Sequence, residues 1–150
     1  MNTQTKKRAL LIEDEPKLEA LMRKVLEDEG FAVKSAVRYD DVTKSLLEEP
    51  PHVAVVSLNL PRNSGYDVCE LIRADVRLSE VQILITSDRS SPAAIAYAEE
   101  AGANAFLRKP FTPLQLARYA RALLAPEEPS RPSMRWLRRT EPPPPVTCAK

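Results

Sequence analysis

Four short segments carry the side chains that could do chemistry. Glu13-Asp14-Glu15 follow one apolar run, Ser57 closes a second, Thr86-Ser87-Asp88 close a third, and Arg108-Lys109-Pro110 close a fourth. Adjacent carboxylates supply oxygen ligands for a hard cation, and a lysine ammonium beside hydroxyl groups suits a phosphoryl group. Other chemistries find little material. The chain has one histidine and three glycines, too few for a ligand-spaced histidine cluster, a glycine-rich phosphate loop or a nucleophile elbow. Cys69 and Cys148 lie too far apart in sequence to form a metal-ligand spacing or a disulfide framework. Cys69 reads as packing, and both thiols as the reduced cysteines of a cytosolic protein.

These residues need a scaffold, and the apolar pattern supplies one. Ala9–Ile12, Val53–Val56 and Ile83–Ile85 read as buried strands, with Phe31–Val33 and Ala105–Leu107 as shorter ones. Leu18, Leu21, Met22, Val25 and Leu26 form one stripe of an amphipathic helix, which Gly30 closes. Further helices are predicted over 39–48, 65–74, 92–101 and 113–124, the last two opening at Ser91-Pro92 and Thr112-Pro113. Five strands alternating with five helices give an α/β doubly wound parallel sheet, since parallel strands need right-handed crossover helices. Uniformly apolar strands imply burial on both faces. In such a sheet, ligands gather beyond the carboxyl ends of the strands. All four chemistry-bearing segments fall there.

The chain has 150 residues, 43% hydrophobic and 29% charged, with a net charge of +1. That balance is globular and gives no whole-molecule attraction to nucleic acid or anionic lipid. No apolar run reaches the roughly 20 residues of a membrane span, and Met1–Arg8 does not read as a signal peptide, so a cytoplasmic location is expected. Composition shifts near residue 125: half of the fourteen prolines fall in the last 25 residues, with five basic residues and three acids. Residues 1–125 read as one domain and 126–150 as a Pro/Arg-rich disordered tail with a four-proline run at Pro142–Pro145. Arg131, Arg135, Arg138 and Arg139 surround Trp136, a composition that suits an acidic partner, with lipid headgroups and nucleic acid as the other options. With no second core after residue 125, no output domain is expected.

Ala9–Pro16, Leu60-Pro61 with Gly65, Ala101-Gly102-Ala103 and Lys109-Pro110-Phe111 together resemble, in order and spacing, the receiver domain of two-component response regulators across about residues 6–124. The resemblance implies the flavodoxin-like strand order 2-1-3-4-5. It also implies roles: Glu13 and Asp14 match the acidic pair that binds magnesium, Ser87 the switch hydroxyl, Phe106 the aromatic switch, and Lys109 the phosphate-pairing lysine. Partners are implied to be other signalling proteins, meeting the fourth helix, fifth strand and fifth helix around Tyr97, Phe106, Arg108 and Tyr119. A cis bond before Pro110 is a frequent family feature.

One position departs from that pattern. Where the family carries its phosphoacceptor aspartate, this chain has Ser57. A hydroxyl needs an adjacent base to become a nucleophile, and His52 sits about 16 Å back along the strand, at the wrong end. Losing one carboxylate also weakens any magnesium site, leaving at most a weak one at Glu13 and Asp14. Lys109 is expected to pair with Asp14. Asp88, if turned inward, would restore negative charge. The expectation is a non-enzymatic pseudo-receiver: a phosphorylation-independent interaction or scaffold module in bacterial signalling, for instance in motility or polarity control. The alternatives are a working single-domain response regulator with a non-standard acceptor, an enzyme on the same fold, and a nucleic-acid binder acting through the tail.

Overall fold

The computed structural model describes residues 6–61 and 64–124. Ten regular elements alternate: β1 (Lys7–Ile12), α1 (Pro16–Asp28), β2 (Phe31–Ser35), α2 (Tyr39–Glu48), β3 (Val53–Ser57), α3 (Gly65–Arg73), β4 (Gln82–Ser87), α4 (Pro92–Glu100), β5 (Ala105–Arg108) and α5 (Pro113–Leu124). The strands form one parallel sheet in the order β2-β1-β3-β4-β5. This is the flavodoxin-like arrangement that the resemblance implied. The expected tail, with Trp136, its arginines and the proline run, lies outside the described residues.

Strand alternation splits the core in two. Leu10, Ile12, Ala54, Val56, Ile83, Ile85 and Phe106 pack beneath α2, α3 and α4. Ala9, Leu11, Val53, Val55, Leu84, Ala105 and Leu107 pack against α1 and α5. β1, β3 and β4 are apolar because both their faces are covered. β2 departs from the expectation: at the sheet edge, only Phe31 is buried. In α1, Met22, Val25 and Leu26 are buried, whereas Leu21 is 43% exposed, at the margin of the apolar stripe.

Local signals set the helix ends. Ser91 caps α4, its Oγ accepting from Ala94 N at 3.1 Å, with Pro92 at the first helical position. Thr112 and Gln115 cap α5 reciprocally: Thr112 Oγ1 accepts from Gln115 N at 3.1 Å, and Gln115 Oε1 accepts from Thr112 N at 3.0 Å. Gly30 and Gly102 end α1 and α4 with φ of +98° and +108°, which glycine adopts without strain. A short 3-10 turn at Val76–Leu78 was not anticipated. At the end of the sheet away from the chemistry-bearing segments, Arg73 in the last turn of α3 donates to Gly102 O (3.0 Å), Ser79 O (3.4 Å) and Asn104 Oδ1 (2.7 Å). That amide oxygen also accepts from Ile83 N at 2.7 Å.

Candidate functional site

The carboxyl ends of β1, β3 and β5 bring Glu13, Ser57 and Lys109 together. Lys109 Nζ lies 3.0 Å from Glu13 Oε1 and donates to Ser57 Oγ at 3.3 Å. Glu13 and Ser57 are buried, at 3% and 2% exposure. The β1–β3 register explains their meeting: Leu11 pairs with Val55, so two residues on, Glu13 comes opposite Ser57 on the same face. The peptide bond between Lys109 and Pro110 is cis. Lys109 N donates to Ser87 O at 2.8 Å, fixing the lysine at the strand end.

The expected Lys109–Asp14 pair is corrected. Glu13 takes the ammonium: it continues the Leu11 side of β1 and is buried, whereas Asp14, the next residue, is exposed. Glu15 also leaves the acidic group, because its Oε1 caps α1 by accepting from Leu18 N at 2.7 Å. The second oxygen of Glu13 accepts from Glu15 N at 3.0 Å. One Glu13 oxygen is on the lysine and the other on an amide, while Asp14 is exposed. Among the described residues, no three His, Cys, Asp or Glu side chains converge on a metal position.

The chemistry open to Ser57 follows from its neighbours. A serine beside a lysine resembles a nucleophile and its base, but the base must hold a lone pair. The Lys109 nitrogen donates both to the Glu13 carboxylate and to the hydroxyl, so it presents protons to Ser57. His52 lies at the opposite end of β3, where its Nδ1 accepts from Arg8 N at 2.9 Å. Burial, then the charges of Arg8 and Lys7, hold its imidazole below the usual 6.5.

Ser87 and Asp88 stand at the mouth. Ser87 Oγ accepts from Arg89 N at 2.9 Å, so the switch-position hydroxyl is engaged by its own loop. Asp88 is exposed and does not turn inward; its Oδ1 lies 3.4 Å from Asn59 Nδ2, joining the loops after β3 and β4. Beside them runs an open groove of about 600 Å³, lined by Leu58, Pro61, Tyr66, Arg89 and Ala94 among others.

The expected partner surface is assembled only in part. Tyr97 is 52% exposed on α4, and Arg108 is half-buried, donating to Ser90 Oγ at 3.3 Å. Phe106 lies beneath that surface, buried in the core below α2–α4. Tyr119 does not belong to it: with Leu116, Ala120 and Leu123 it forms the buried stripe of α5. That i, i+3, i+4, i+7 spacing was in the sequence and is the signal that would have placed it.

Gly65 was read only as a motif residue, and Tyr66 was missed. Gly65 N donates to Leu58 O at 2.9 Å, and a Cβ on Gly65 would stand 2.5 Å from the carbonyl oxygen of Ser57. No side chain fits there. The next residue, Tyr66, stacks on Tyr97 with ring centroids 4.3 Å apart and planes at 28°. Burial, with smaller contributions from Tyr97 and Cys69, raises its phenol above the usual 10.0.

A parallel sheet in this order, with a lysine, an acid and a hydroxyl-bearing loop converging at its carboxyl end, defines a receiver-type α/β domain. The chain belongs to the response regulator receiver domain family, whose pattern matches residues 9–121. It is 33% identical over 115 residues to the transcriptional regulatory protein GltR of Pseudomonas aeruginosa, covering 77% of this chain and 48% of that protein. To the DNA-binding response regulator MtrA of Mycolicibacterium smegmatis it is 30% identical over 123 residues, covering 82% and 53%. The chain thus spans about half the length of these curated relatives. Among solved structures, response regulator DrrB of Thermotoga maritima superposes with a TM-score of 0.73 at 25% identity, covering 80% of this chain and 53% of that one. Chemotaxis response regulator CheY4 of Vibrio cholerae gives 0.75 at 21% identity, covering 79% and 99%, a likeness of fold.

Proposed function

We propose that this receiver signals by contact and not by phosphotransfer: a pseudo-receiver serving as a protein-interaction or scaffold module in bacterial signal transduction, without enzymatic activity. One observation carries the reading. The residue beside the Lys109 nitrogen is Ser57, a neutral, buried hydroxyl that accepts from that lysine, and Glu13 pairs with the lysine that would meet a phosphoryl group. Partners are other signalling proteins meeting the α4 side around Tyr97 and Arg108, and they bias the domain's state in place of covalent modification. The setting is cytoplasmic, with motility or polarity control the first place to look for them. Among the described residues, no helix is long and apolar enough to cross a membrane.

The test is to incubate the full chain with a small-molecule phosphodonor and magnesium, then weigh it intact. An unchanged mass supports the reading; a stable gain of about 80 Da, one phosphoryl group, overturns it. Asp88, an exposed carboxylate at the mouth, is the acceptor that would support the second reading, a working regulator with a non-standard site. Peptide mapping of any adduct would identify it.

A further inference from the structure

α4 is weakly embedded. Of its nine residues only Ala98 is buried, with Ala94, Ile95 and Glu99 half-buried and Tyr97 largely exposed. Small alanine side chains bury little apolar area, so the sheet alone holds this helix less firmly than its neighbours. α3 begins on a much stiffer base. Gly65 sits against the Ser57 carbonyl with no room for a Cβ, Asn59 and Ser64 form an isolated bridge, and Ser64 and Asp67 make a reciprocal cap.

Tyr66 joins the two. Its ring stacks on Tyr97 at 4.3 Å, and its hydroxyl donates to the carbonyl of Ala94, in the first turn of α4, at 3.2 Å. Ser87 Oγ is engaged by Arg89 N–H within its own loop. We infer that Tyr66 is a latch that fixes α4 to the pocket end of β3, running from the Ser57 carbonyl through Gly65 to the Tyr97 ring and the Ala94 carbonyl. The exposed α4 surface is then held by an aromatic contact that needs no phosphoryl group. A partner that draws Tyr97 out of the stack releases the helix. The latch stands whether or not the pocket accepts phosphate.

Amide hydrogen exchange on the full-length protein tests it, residue by residue. Tyr66→Leu, which removes the stack and the hydrogen bond, is expected to speed exchange of the α4 amides about tenfold and leave α1 and α5 unchanged. Tyr66→Phe keeps the stack and is expected to speed them about threefold. Tyr97→Ala removes the stack from the exposed side, so it serves if Tyr66→Leu folds poorly. Unaltered α4 exchange in Tyr97→Ala overturns the inference. So does acceleration spread evenly over all five helices, which would make Tyr66 ordinary core.

Discussion

Lys109 and Glu13, 96 positions apart in sequence, form a charge pair of 3.0 Å in which the carboxylate side chain is 2% exposed and the lysine 21%. The pair fills the pocket with its own counter-ion. Removing one partner leaves the other charge uncompensated, more severely for the buried acid than for the half-buried lysine. Lys109→Met is expected to cost about 2–3 kcal/mol and Glu13→Gln about 1–2 kcal/mol. The double variant should lose less than the sum of the two. Urea midpoints of all four proteins in a double-mutant cycle measure the difference.

Ser57→Asp places a carboxylate, ionised at neutral pH with a usual pKa of about 3.9, beside that ammonium. It competes with Glu13 for the lysine and supplies the anionic oxygen that the hydroxyl lacks. The expected outcome, by intact mass, is a gain of about 80 Da from a small-molecule phosphodonor and magnesium in the variant and none in wild type.

The His52 imidazole is held below its usual 6.5 in the folded chain, so unfolded chains bind a proton first as pH falls. Its contribution is fully present above 6.5 and is lost below that value. Protonation of Nδ1 also removes the acceptor for Arg8 N–H. Between pH 7.5 and 5.5, wild type should lose more stability than His52→Gln, read as the shift in urea midpoint.

Gly65→Ala would push a methyl group to 2.5 Å from the Ser57 oxygen and 2.9 Å from Leu58 Cα. Neither is the free end of a side chain, so backbone must move. A loss of about 1–3 kcal/mol is expected, with a lowered thermal midpoint as the readout.

Burial pushes the Cys69 thiol up to about 12, leaving almost no thiolate near neutrality. Native protein treated with iodoacetamide at pH 8 should yield an unlabelled Cys69 peptide, and denatured protein a labelled one.

Much of this was legible in the chain. The run of Met22, Val25 and Leu26, and the starts at Ser91-Pro92 and Thr112-Pro113, are local signals, and they placed α1, α4 and α5. The strand end at Ser57 was visible because apolar runs set strand ends; that the family carries an aspartate at this position came only from the resemblance. Choosing between Glu13 and Asp14 required the Leu11 side of β1 to be carried one step past its last residue. The Tyr66–Tyr97 contact joins residues 31 positions apart on two helices, and nothing in either segment announces the other. Such a contact exists only once crossovers set the helices side by side.

Arg73 gives the far end of the molecule a fixed point. By gripping Gly102, Ser79 and Asn104 at once, it braces the turn that follows α4 to the last turn of α3 and the start of β4. A helix anchored there and freed at its other end behaves as a lever with its fulcrum at Gly102. Any rearrangement must then grow along its length, smallest at Ala101 and widest at Ser91, so a tilt at the rim reaches outside contacts without disturbing the foundation.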